Sequence, residues 1–127
     1  MQSYVKDMQR LAEHAVAMAQ QMGVELDYSS SSVAKLDDIL ELLHQQLADA
    51  KPTQDQVEDM ALNWGAYFGE CIRRNIGGDW EFFQGSDAVK LGAEYVFVTS
   101  RALRRIESGP EESVNALYSS VERDHSN

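Results

Sequence analysis

An α+β fold, mostly helical, is what this 127-residue sequence predicts. Three observations carry it. From Ser3 to Asn75 the apolar residues recur at the i, i+3, i+4, i+7 spacing of amphipathic helices. After Gly77-Gly78 the period drops to two, the mark of a strand. Beyond Ser100 a helical spacing returns, broken at Ser108-Gly109-Pro110. The expected order is three helices, a small antiparallel sheet of two or three strands, then one short and one longer helix. All of it fits one domain over residues 1–127, with the tail from Arg123 to Asn127 expected to fray.

The first helix is expected from Ser3 to Met22, with Tyr4, Met8, Leu11, Ala15 and Ala19 among its apolar positions, and Gly23 placed for a left-handed cap. Val24, Leu26 and Tyr28 alternate with Glu25 and Asp27, a short extended piece. The serines Ser29 to Ser32 can satisfy the free N–H groups of a helix start, so the run reads as a cap with slack. The second helix is expected over Val33–Asp49 on the stripe Val33, Leu36, Ile39, Leu40, Leu43 and Leu47, with Asp37, Asp38, Glu41, Gln45 and Asp49 largely off it.

Thr53 followed by Gln56 fits a capping box, and Asp55 sits at the positive end of the helix dipole. The third helix, about Gln54–Asn75, is apolar over much of its girth and is expected to be central. Ala61, Gly65 and Gly69 fall four apart on one ridge of it. Glycine inside a helix costs roughly 1 kcal/mol against alanine, so two of them imply an element packed on bare backbone.

Asp79 and Glu81 then alternate with Trp80 and Phe82, an amphipathic strand. Gln84-Gly85-Ser86-Asp87 reads as a turn, and Val89 and Leu91 as a second short strand stopped by Gly92. Tyr95-Val96-Phe97-Val98-Thr99 is continuous in β formers, as expected of a strand covered on both faces. Ser100 is placed to cap a short helix through Ile106, and Pro110 to open the last helix, with Val114, Leu117, Tyr118 and Val121 on its apolar face.

Composition narrows the function. A formal charge of −10 argues against a phosphate-backbone partner, which needs clustered lysine and arginine. Between Glu25 and Asp59 nine acids stand against Lys35 and Lys51, so most of the excess lies there. It reads either as a solvated helix face or as an acidic docking surface. The lone Cys71 excludes an internal disulfide, no apolar run approaches a membrane span, and the first residues do not resemble a signal peptide, so a cytoplasmic protein is expected.

The remaining chemistry is sparse. Glu70 with Arg73 and Arg74 shares one helical face, which suits an ordinary ion pair, a clamp between helix and sheet, or an anion site with Trp80. His14, His44 and His125 do not cluster, and no metal-ligand or cofactor spacing is present, so neither metal nor cofactor is expected. Gly77-Gly78 follows a helix and precedes a strand, the reverse of a phosphate loop. The aromatic residues Trp80, Phe82, Phe83, Tyr95 and Phe97 lack basic neighbours and read as core, not as base-stacking platforms.

Three segments, LDYS with its leucine-rich helix (Leu26–Leu43), GAYFGECIRRNIGGDW (Gly65–Trp80) and RRIESGPEESV (Arg104–Val114), together resemble a loose group of small, mostly uncharacterised bacterial proteins. Their pattern is a GxYxGExxRRxxGGxW helix, strands, and a GPE turn into a last helix. Some small acidic proteins of this sort are immunity proteins against secreted toxins, so the resemblance implies a non-enzymatic inhibitor, with no binding residue carried over. Residue chemistry then nominates Asp37, Asp38 and Glu41, with Asp79 and Glu81 as a second patch, to meet a basic toxin. A self-associating structural or adaptor module, and a small-anion binder around Glu70, Arg73, Arg74 and Trp80, are the alternatives.

Overall fold

α3 (Gln54–Asn75) runs through the middle of the molecule, and every residue from Trp64 to Ile72 in it is buried. This computed structural model describes residues 2–125. Around α3 lie α1 (Gln2–Gln21) and α4 (Val98–Ser108), while α2 (Ser32–Ala50) packs on α4 and on α5 (Val114–His125). The sheet has three antiparallel strands in sequence order, β1 (Asp79–Phe83), β2 (Ser86–Leu91) and β3 (Glu94–Val96). One contiguous core joins all five helices to the sheet. The expected α+β architecture is the observed one.

Helix ends follow the local chemistry. α1 stops at Gln21, one residue before expectation. Gly23 then turns left-handed at φ +80°, and the Val24 N–H reaches back to the Ala19 carbonyl, closing the helix. Thr53 and Gln56 form the expected capping box at the start of α3. The serine run behaves differently from expectation. Ser31 at the cap position makes no side-chain cap bond, whereas Ser29 Oγ accepts the Ser32 N–H and the Ser32 hydroxyl is buried against Tyr67 at 2.6 Å. The run is a folded turn with a buried hydroxyl, not a slack cap.

The glycine ridge does what its spacing implies. A Cβ on Gly65 would stand 2.6 Å from the Thr99 Cα, and one on Gly69 would overlap the Trp80 indole. The start of α4 and the first strand are thus both seated on α3 at positions where only glycine leaves room.

Three expectations about the later chain need correction. The first hairpin turn is only Gln84-Gly85, with φ of +53° and +79°, the two left-handed residues a two-residue turn requires. Ser86 and Asp87 therefore belong to β2, Ser86 opposite Phe83. The stretch from Tyr95 to Thr99 is not one strand: pairing ends at Val96, and Val98 already begins α4. Val98, Ala102, Arg105 and Ile106 recur at helical spacing and are all buried, so packing over Gly65 overrides the β propensity of the segment. Finally, Pro110 opens a short 3-10 turn, Pro110–Glu112, before α5 rather than α5 itself. α5 extends through His125, which pairs with Glu94 at 2.7 Å; residues 126 and 127 lie outside the described residues.

Candidate partner-binding site

The nominated acids divide into two kinds. Asp37 and Glu41, one turn apart on α2, both face Arg105 of α4. Arg105 is 4% exposed, and its guanidinium donates from Nε to Asp37 Oδ1 and from Nη1 to Glu41 Oε1, each at 2.8 Å. Asp37 also accepts from the Ser113 hydroxyl and from the Val114 N–H, so its carboxylate sits at the positive start of α5. Hydrogen bonds from Gln45 and Arg105 hold the Glu41 carboxyl below its ordinary range. These two carboxylates bind the protein to itself.

Asp38 is the other kind. It is exposed and lines an open groove of about 760 Å³ between α2 and the extended residues after α1. Met22, Val24, Ile39, Leu42 and Leu43 form its apolar lining, with Glu25, Lys35, Asp38 and Gln46 as the polar residues. Met22 and Leu42 are 40% and 41% exposed, and both open onto this groove. At the groove and beyond it the acidic excess persists: Glu25, Asp27, Asp38, Asp49, Asp55, Glu58 and Asp59 are all exposed, against the exposed Lys35 and Lys51.

The second nominated patch is mixed. Asp79 is exposed at the start of the edge strand β1, opposite Lys90. Glu81 is half-buried and accepts from the Tyr95 hydroxyl at 2.9 Å, and the Tyr95 ring stacks on Phe83 with centroids 4.0 Å apart.

Glu70, Arg73, Arg74 and Trp80 do come together. The Glu70 side chain is fully buried. Its Oε2 accepts from Arg73 Nε at 3.0 Å and Trp80 Nε1 at 2.7 Å, and its Oε1 from Arg74 Nε at 3.1 Å. Burial alone would raise this carboxyl, but the Trp80 and Arg73 hydrogen bonds and the Arg73 charge outweigh it and hold the group below 4.5. Such a carboxylate is saturated with donors and is a weak base. The Arg74 guanidinium also lies 3.6 Å over the Tyr28 ring. Glu70 ties Arg73, Arg74 and Trp80 together and so joins the end of α3 to β1. Burial likewise pushes the neighbouring Cys71 thiol up to about 11, keeping it protonated.

Sequence reasoning missed Arg105 and Leu42; Met22 it placed with Met8 and Met18 on the first helix, favouring core filling over a binding groove. Arg105 sits on a short helix whose partners lie more than sixty residues away. Leu42 did leave a signal, since it is a leucine standing off the apolar stripe of its own helix. Among the described residues no group of three or more His, Cys, Asp or Glu is arranged to hold a metal, and no helix is long and apolar enough to cross a membrane. Comparison with protein-family models, with curated proteins and with solved structures finds no match to this chain.

Proposed function

We propose that this chain is a non-enzymatic, cytoplasmic binding protein that neutralises a cationic protein toxin by direct contact, as an immunity protein does. The observation that supports it is the set of seven exposed acids between Glu25 and Asp59 that remains after Asp37 and Glu41 are committed to Arg105. Opposite charge raises association rates strongly, which suits an inhibitor that must reach its toxin first. The test is co-expression with the product of any secreted-effector gene beside its own, scored by growth. Charge reversal at Asp38, Asp49 and Asp59 should slow association by about tenfold or more at low salt, an effect that shrinks as salt screens the surface. Protection and association rates unchanged by that triple reversal, in a protein that still folds, sink the proposal.

A second reading is favoured by Phe82, which is 62% exposed on the edge strand β1: the chain self-associates along that edge. It requires a mass that rises with concentration in the absence of any partner, and that Phe82→Asp abolishes the rise.

A further inference from the structure

We infer that the groove beside Asp38 receives an amphipathic helix of the cationic partner, an inference that rests on the inhibitor reading above. On α2 the groove follows Lys35, Asp38, Ile39, Leu42, Leu43 and Gln46, positions that lie on one stripe of the helix. That stripe runs about 16 Å at 1.5 Å per residue, the length of three helical turns. The facing wall, Met22 to Glu25, is non-helical, which leaves a trough with one helical side. Met22 and Leu42 stay open to water at its rim, although Val33, Leu36, Ile39, Leu40, Leu43 and Leu47 of α2 are buried or half-buried, so apolar surface is concentrated where none of the described residues covers it. An apolar stripe flanked by polar ends is the receptor form of helix-in-groove recognition, in which side chains at i, i+3 or i+4 and i+7 of the ligand enter the trough.

Charge selects the occupant. Asp38 and Glu25 stand at the groove against Lys35, whose ammonium lies 3.3 Å from the Glu25 carbonyl oxygen and is thereby drawn to the wall. A second copy of this chain would bring its own −10 charge to the same place and be repelled. A helix with leucine-like anchors and lysines or arginines on its flanks meets both requirements.

The probe is a synthetic leucine–lysine amphipathic peptide of about 18 residues, long enough to hold a helix. It is compared with a peptide of equal charge in which serines replace the leucines. Backbone amide shifts of the full chain are followed during titration. The expected result is saturable binding of the leucine peptide, with shifts confined to Met22–Glu25 and Lys35–Gln46. Leu42→Asp should weaken it about tenfold, the scale of one interface anchor, while Phe82→Asp leaves it unchanged. Equal binding of the two peptides overturns the groove while leaving the acidic inhibitor reading standing. Failure of both peptides to bind removes the electrostatic basis of the two together. Shifts centred elsewhere, or a Leu42-dependent dimer in the free protein, also overturn the groove assignment.

Discussion

Glu70 and Arg105 are the same device in opposite sign, placed at opposite ranges of the chain. Each is a buried charge held between two charges of the other sign: Glu70 between Arg73 and Arg74, Arg105 between Asp37 and Glu41. All of Glu70's partners lie within ten residues, so the cluster closes one helix end onto the next strand. Arg105 binds residues 64 and 68 positions away, and through Asp37 it also fixes Ser113 and Val114. One cluster is a local clamp, the other a clasp that joins α2, α4 and α5. The difference teaches that equal burial and equal charge need not mean equal consequence, because the number of elements that depend on each group differs.

The largest break is therefore expected at Arg105. Arg105→Ala leaves Asp37 and Glu41 facing each other without a cation and removes the anchor of α5, at a cost of about 3–5 kcal/mol. Arg105→Lys keeps the charge but loses the forked donor geometry, and should recover only part of that. Chemical unfolding at neutral pH measures both. A loss below about 1 kcal/mol for the alanine variant would show that the clasp is only a surface pair.

The same contrast governs what was legible in the sequence. The Glu70 cluster was readable because i+3 and i+4 spacing puts Arg73 and Arg74 beside it, and the glycine ridge because its period is that of one helix. The capping box at Thr53 is equally local. Asp37 and Glu41 were read as free acids because nothing within a helix turn neutralises them. Their partner is brought by packing of α4 on α2, which no local pattern records. The misread strand from Tyr95 to Thr99 fails for the same reason: its side chains favour β, while the bare backbone at Gly65 fixes the start of α4. In the candidate site, acidity was visible, but the groove depends on how the chain after Gly23 lies against α2.

A second break addresses the seat beneath the Glu70 clamp. Gly65→Ala gains about 1 kcal/mol of helix propensity yet drives a Cβ into the Thr99 backbone, so a net loss of about 1–3 kcal/mol is expected. Gly69→Ala meets the Trp80 indole, which its bond to Glu70 prevents from swinging away, and should cost a similar amount. Here a double-mutant cycle sharpens the point. Trp80→Leu makes room, so the pair Gly69→Ala with Trp80→Leu should be less destabilised than the sum of the singles. Strict additivity would mean that the ring and the glycine do not meet.

Acid comes next: it protonates the central group of the Glu70 clamp, whereas in the Arg105 clasp it reaches a flanking carboxylate, Glu41, which its partners also hold below the ordinary range. With its folded-state pKa below the ordinary 4.5, Glu70 contributes stability that is complete above that value and is lost as pH falls through the lower folded one. Glu70→Gln should cost about 1–3 kcal/mol at neutral pH, since Arg73 and Arg74 lose their carboxylate. Its stability should also fall less steeply than that of the native chain below about pH 5. Parallel pH profiles for the two proteins would place the acid-sensitive group elsewhere.

The smallest effect is expected at the outer shell of the clamp. The Arg74 side chain is 43% exposed, so water screens its pairing with Glu70 and also dilutes its contact with the Tyr28 ring. Arg74→Ala alone should cost at most about 1 kcal/mol, in line with exposed pairs. Arg73, at 29% exposure, should behave alike, because either arginine suffices to balance one carboxylate. Removing both changes the situation in kind: Glu70 is then a buried anion held only by the Trp80 indole N–H. The double variant should therefore lose more than the two singles together, by about 1 kcal/mol or more of coupling. It should also lift the acid transition toward higher pH, as Glu70 becomes easier to protonate. If the two losses simply add, the arginines act on separate parts of the molecule and Glu70 is not the centre of a shared cluster.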